Sequence, residues 1–333
     1  MLGGAEMFSE SFGRLSSAKG NGVLVFHGLG ANSHLSGDDR APGWWQDVVG
    51  PGLGLDTDRF CVIAPNVLGG CAGSTGPGSI DPDGRRWAAR FPALTIRDQV
   101  AAAAQLRREL GIERWAAVIG VSFGGMHAME WHVSLGDMAD LVAVIAAPWV
   151  TTAEQIAANS LQIDVVRADP DYRHGDYRQL GTAPIRGLAL ARRIGMLQYR
   201  APDDFDRRFG RAQQDHGGGQ FAVESYFASN AEKFAESFDA NSFITLVNAK
   251  NSHDIGRGRG GARAALTAAT HPLLVVGIDS DRLFPLDQQR FIARHSPGSV
   301  SGREPVVHSG GHGHDAFLID QQWFGEVLGR HLC

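Results

Sequence analysis

Between Trp115 and Gly125 the chain reads Trp-Ala-Ala-Val-Ile-Gly-Val-Ser-Phe-Gly-Gly, an apolar run that stops at a serine flanked by Gly120 and Gly124. Ala116 to Ile119 carry no polar alternation, which predicts a strand buried on both faces of a sheet. Met126 to Leu135 predict a helix. A strand that passes directly into a helix must bend sharply at Ser122, and small neighbours let that turn close while the hydroxyl projects from it. The helix N-terminus beneath favours developing negative charge. This Gly-x-Ser-x-Gly constrains the chain to a sheet-and-helix fold with a nucleophile at a strand end.

Partners for such a serine lie downstream. Gly22–Phe26 is a short apolar strand ending at His27-Gly28-Leu29-Gly30-Ala31, a loop able to aim backbone N–H groups above the sheet. An oxyanion hole needs such a loop, together with the N–H that follows the nucleophile, here Phe123. Leu273–Gly277 is a late buried strand followed by Asp279, Ser280 and Asp281, where an orienting carboxylate belongs. Then Gly310-Gly-His312-Gly-His314-Asp315 sets two histidines on one glycine-rich loop. The order Ser122, Asp281, His314 is that of α/β-hydrolases, but spacing leaves His312 equally available as the base.

The rest of the chain fits one large domain with an insertion. Phe60–Ala64 and Leu141–Ala146 read as further strands, and Thr95 with Asp98 opens an amphipathic helix through Leu110. The expected division is an α/β-hydrolase core at 1–149, a helical lid at 150–262 and the remaining core at 263–333, the sheet being mostly parallel with flanking helices. Within the lid, Ile185, Leu188, Arg192 and Met196 share a helical face. An arginine there is either a paired core ion or a contact for an anion. The glycine-rich loop Asn66–Gly84 lacks the lysine and serine or threonine of a P-loop and is expected as a rigid wall near the site mouth. Trp44-Trp45 is expected to pack. Arg257–Gly261 is expected as a flexible return from lid to core, the place where a phosphorylated cofactor would touch.

Composition excludes some classes. With 31 basic and 36 acidic residues among 333, the net charge of −5 argues against nucleic acid or an anionic membrane as partner. Cys61, Cys71 and Cys333 show no CxxC spacing, so neither a disulfide framework nor a zinc site is indicated. The first residues lack a basic-then-apolar leader and no run spans a bilayer, so a cytoplasmic protein is expected.

With these residues assembled, the chain resembles the homoserine O-acetyltransferase family, particularly its actinobacterial members, over nearly its whole length. The matching stretches are 42–45, 66–77, 187–192, 221–226, 238–242, 253–261, 280–285 and 313–318. The resemblance implies Ser122 as nucleophile, Asp281 as acid, His314 rather than His312 as base, and Leu29 and Phe123 as oxyanion donors. It also implies Arg192 and Asp315 as contacts for an amino-acid substrate, L-homoserine. Acetyl-CoA would be co-substrate in a ping-pong reaction, with no permanently bound cofactor or metal and with a homodimer formed through the lid helices. The sequence departs from the family at two loops: His27-Gly-Leu-Gly-Ala31 stands where the family usually has His-Ala-Leu-Thr-Gly, and Val121 and Phe123 flank the nucleophile in place of Gly and Met. Relative to the family the chain begins late, and a less stable sheet edge is expected there.

Overall fold

The computed structural model describes residues 4–214 and 219–332; Cys333 lies outside them. The strands form in chain order as β1 (Ser9–Phe12), β2 (Gly22–Phe26), the short ribbon β3 (Val49–Gly50) and β4 (Leu55–Asp56), then β5 (Cys61–Pro65), β6 (Ala117–Val121), β7 (Val142–Ile145), β8 (Leu273–Ile278) and β9 (Val306–His308). Seven of them make one sheet in the order β1-β5-β2-β6-β7-β8-β9. Only β1 at the edge runs antiparallel. The mostly parallel α/β-hydrolase architecture follows from the sequence pattern: β2, β5, β6, β7 and β8 are buried along their whole length, as strands covered on both faces must be.

Alternate residues of these strands feed separate cores. Leu24, Phe26, Val118, Val142 and Val275 pack on one face with α1 (Ile96–Glu109) and α2 (Phe123–Leu135). Val23, Val25, Ile119, Ile145 and Val276 pack on the other, where Phe324, Val327 and Leu328 of the last helix cover them. The cap expected for α1 is present, Thr95 Oγ1 accepting from the Asp98 amide while the Asp98 carboxylate accepts from the Thr95 amide.

Between β7 and β8 the chain is helical: α3 (Ala153–Arg167), α4 (Ile185–Tyr199), α5 (Pro202–Arg208), α6 (Ala222–Ser237), α7 (Ala240–Asn251) and α8 (Ala262–Ala268). A third apolar cluster, including Val166, Leu188, Ala191, Phe234 and Phe243, joins α3, α4, α6 and α7 over the sheet's C-terminal edge. The chain finishes with α9 (Leu286–His295), α10 (Ala316–Ile319) and α11 (Gln321–His331).

Two loop expectations change. Arg259 of the Arg-Gly-Arg-Gly segment is ion-paired with the buried Glu130 on α2, which Arg97 also meets at 3.3 Å. A carboxylate buried on a core helix needs a cation, so this arginine is a structural clamp rather than a free ligand contact. The loop 66–84 is held against the N-terminal segment and α7 by Thr75 N to Glu6 O at 2.9 Å and Ser242 Oγ to Gly70 O at 3.1 Å. Among the described residues no helix is long and apolar enough to cross a membrane.

Candidate active site

Helix α2 starts at Phe123, three residues before the apolar pattern suggests, because β6 runs on to Val121 and a single residue makes the bend. That residue is Ser122, at φ 56° and ψ −118°, a conformation costly for a side chain with a Cβ and typical of a strained nucleophile turn. Its amide donates to Ile145 O at 2.9 Å. The flanking glycines are required by close approach: a Cβ on Gly120 would overlap the Gly124 carbonyl, and one on Gly124 would overlap the Phe26 carbonyl.

Residues distant in sequence meet at this turn. Ser122 Oγ lies 2.6 Å from His314 Nε2, and His314 Nδ1 lies 2.6 Å from Asp281 Oδ2. The other carboxylate oxygen accepts from the Leu283 and Phe284 amides at 2.8 and 2.9 Å. An ionised carboxylate can only accept, so Nδ1 carries the proton and Nε2 is left to accept from the serine hydroxyl. Phe284 and Phe317 contact the His314 ring edge to face, at centroid distances of 5.2 and 5.4 Å, and fix its plane. His312 is elsewhere. It faces Asp204 at 3.4 Å and Asp320 at 3.8 Å, so of the two histidines only His314 reaches the serine.

The amides of Leu29 and Phe123 have no acceptor among the described residues, and both residues line the same cavity. His27, buried, donates from Nδ1 to Gly28 O at 2.7 Å and so turns that carbonyl aside; burial pushes its pKa down to about 4, keeping it neutral.

The cavity holds about 400 Å³ above Ser122. No residue of the loop 66–84 lines it, so the expected wall is supplied instead by the 28–34 loop and by Trp44. Trp45 packs as expected, fully buried with its indole N–H on Phe317 O, whereas Trp44 stacks on it and faces the cavity. Arg192 also faces the cavity. Its guanidinium covers the rings of Tyr199 and Phe234 at 5.2 and 4.6 Å and makes no contact ion pair among the described residues, as a paired core ion would, although its charge acts on Asp315 nearby. Asp315, adjacent to His314, lies 3.4 Å from Arg200 Nε, and burial holds its carboxyl above the ordinary range. Arg200 in turn meets Asp204 at 2.9 Å. It went unnoticed in the sequence because it sits at a helix end without apolar periodicity. A Cβ on Gly313 would strike the Ala201 amide, so the histidine loop is seated directly against the α4–α5 junction.

Lys250 is a second overlooked cation. It is only 8% exposed, lines the cavity, donates from Nζ to Asn159 Oδ1 at 3.2 Å and lies over the Phe284 ring. Burial lowers its pKa to about 8. Among the described residues there is no His/Cys/Asp/Glu group suited to hold a metal ion.

Residues 21–321 match the family model for the alpha/beta hydrolase fold. The chain is 52% identical to homoserine O-acetyltransferase of Clavibacter michiganensis subsp. michiganensis, over 97% of its own length and 86% of that protein. It is 46% identical to that of Thermobifida fusca, over 96% and 86%. Among solved structures, esterase E22 superposes with a TM-score of 0.87 at 25% identity, covering 99% of this chain and 94% of that one. A homoserine O-acetyltransferase from Bacillus anthracis shares the fold with a TM-score of 0.88 at 24% identity, covering 98% and 91%. A serine elbow at a parallel strand end, its long-range partners and near-full-length likeness to these relatives lead to one conclusion: this chain belongs to the homoserine O-acetyltransferase family of the α/β hydrolase fold.

Proposed function

We propose that the chain moves an acetyl group from acetyl-CoA to the hydroxyl of L-homoserine, by way of an acyl group on Ser122. The observation that carries this reading is the Ser122–His314–Asp281 chain of hydrogen bonds opening on a cavity that also presents Arg192 and Asp315. In the first half-reaction Ser122 Oγ attacks the thioester carbon and its proton passes to His314 Nε2, while the Leu29 and Phe123 amides hold the oxyanion. The C–S bond breaks and the departing thiolate takes the proton from His314. In the second, the homoserine carboxylate lies on Arg192 and its ammonium on Asp315, a match of planar cation to carboxylate and of acid to amine. Its hydroxyl gives a proton to His314, attacks the acyl carbon and releases Ser122, which recovers the proton. Neither step needs a permanently bound cofactor. The product, O-acetyl-L-homoserine, would serve methionine synthesis.

Likeness to esterase E22 raises a second reading, with water as acceptor. A cationic and an acidic group facing the same cavity favour an amino acid instead. Incubation with acetyl-CoA, with and without homoserine, separates them: rapid CoA release with O-acetylhomoserine formed only when homoserine is present is expected. CoA release at the same rate without homoserine, giving free acetate, would replace transfer by hydrolysis.

The lid surface supports a homodimer. Ile156, Leu161, Ile185, Leu190 and Leu197 of α3 and α4 are exposed apolar side chains, and a homodimer through these helices would cover them. Sedimentation should give twice the chain mass. A cytoplasmic setting suits the free thiols Cys61 and Cys71.

A further inference from the structure

Asp315 has to be ionised to hold an ammonium, its part in the reading on which this inference rests, and its position opposes that. Burial raises its pKa and the nearby Asp281 carboxylate acts in the same direction, while the charges of His314, Arg200 and Arg192 act against them. These three cations are not equivalent. His314 is neutral between proton transfers, with Nδ1–H on Asp281 and Nε2 accepting from Ser122. The Arg192 guanidinium is met by the acceptor's carboxylate once the acceptor binds. Of the three, Arg200 alone keeps its charge beside Asp315 throughout the reaction.

Arg200 does not itself face the reacting groups. It follows the last residue of α4 and lines a separate recess of about 210 Å³ with Met196, Phe205, Tyr226 and Asn230, whereas Asp315 and Arg192 face both this recess and the main cavity. Its Nε lies 3.4 Å from Asp315 Oδ2 without a hydrogen bond, so the contact acts through charge and Oδ1 is left for a ligand. On its other side Nη1 donates to Asp204 Oδ2 on α5 at 2.9 Å. Asp204 neutralises this cation only in part, because Arg207 donates to its Oδ1 at 3.1 Å and His312 faces the same oxygen at 3.4 Å. The backbone holds the pair in register: a Cβ on Gly313 would strike the Arg200 carbonyl carbon, so the loop carrying His314 and Asp315 rests on the peptide of Arg200 itself.

We infer that Arg200 is a positioning residue for the acceptor: anchored on Asp204 of the lid, it keeps the Asp315 carboxylate ionised beside the catalytic histidine and so makes the enzyme prefer a hydroxy acid that also carries an ammonium. No bond of the reaction forms or breaks at Arg200.

The test measures single-turnover transfer from the acetylated enzyme to L-homoserine and to 4-hydroxybutanoate, which has the same chain, hydroxyl and carboxylate but no ammonium, from mildly acidic to mildly alkaline pH. The wild-type second-order rate constant should favour homoserine by about ten- to a hundredfold. In Arg200→Gln, which keeps a hydrogen-bond donor but no charge, that preference should fall by about tenfold. The acidic limb of the homoserine profile should also move to higher pH, because Asp315 loses the cation that opposes its protonation. Arg200→Lys, which restores the charge, should recover most of both. A merely structural role would instead slow both acceptors, and acylation by acetyl-CoA, alike. The inference is overturned by a preference and an acidic limb that stay put in Arg200→Gln, by equal losses with both acceptors, or by losses that Arg200→Lys does not recover. Should Arg200→Gln not fold, Arg200→Met supplies a second uncharged side chain for the same comparison. A wild-type preference near one overturns the inference together with the ammonium contact. Failure of the acetyl-transfer reading is seen separately, as absence of product from acetyl-CoA and homoserine in the wild type, before any variant is compared.

Discussion

The core side of the cavity and its lid side solve the same problem of charge in opposite ways. On the core side each polar atom of the reacting set has its partner inside the protein: Ser122 on His314, His314 on Asp281, Asp281 on two backbone amides. On the lid side Arg192 lies over aromatic rings and Lys250 donates to a single amide oxygen, and neither makes a contact ion pair among the described residues. A partnered set is rigid and ready before substrate arrives, which chemistry requires. An unpartnered set leaves its electrostatic demand to the ligand, which selectivity requires. The contrast predicts that substitutions on the core side stop both half-reactions, whereas those on the lid side act on one.

The largest effect belongs to Ser122→Ala. Acyl transfer should fall by about a thousandfold or more with the fold intact, and intact mass after acetyl-CoA should show no added acetyl group. An adduct persisting in the variant would move the nucleophile elsewhere. Next, His314→Ala should approach that loss, while His312→Ala, whose ring meets Asp204 and Asp320 rather than the serine, should cost less than about tenfold. Steady-state rates for both variants check this, and equal losses would erase the distinction drawn from their positions.

Arg192→Ala tests the lid side. Acylation by acetyl-CoA should stay near the wild-type rate, and the half-reaction with homoserine should slow by about ten- to a hundredfold, the worth of a charge-assisted bidentate contact. Only the stacking over Tyr199 and Phe234 is lost from the fold, about 1 kcal/mol, so Tm should move by a few degrees at most. Equal damage to both half-reactions would end the contrast between the two sides. The smallest effect concerns Asp315. Because burial raises its pKa, it becomes protonated on acidification before an ordinary aspartate does, and its hold on an ammonium weakens first. Homoserine binding to the unacylated enzyme, followed by calorimetry at constant ionic strength, should weaken several-fold from neutral to mildly acidic pH, and Asp315→Asn should flatten that dependence. A Kd that does not vary with pH in the wild type would remove Asp315 from ammonium binding.

Short-range pattern made the core legible from the sequence. Uninterrupted apolar runs at 22–26, 117–121 and 273–278 mark strands covered on both faces, and Thr95 with Asp98 caps its own helix within one turn. Gly120 and Gly124 announce the elbow because the turn leaves no room for a Cβ. In each case the residues that decide the structure lie within a few positions of one another, so periodicity and sterics suffice.

What needed the tertiary structure is everything set by neighbours far apart along the chain. His312 and His314 are two residues apart and alike in sequence, yet only one meets Ser122, across 192 positions. Whether Arg192 is paired depends on whether a carboxylate folds against it, and two rings do instead. Arg259 was open to a ligand until Glu130, 129 positions away, proved to be its buried partner. Lys250 looks like a solvated end of an amphipathic helix and becomes a cavity wall only once α3 and Phe284 enclose it. The free energy of a charge depends on what surrounds it in space, and a local pattern of residue types carries no record of that.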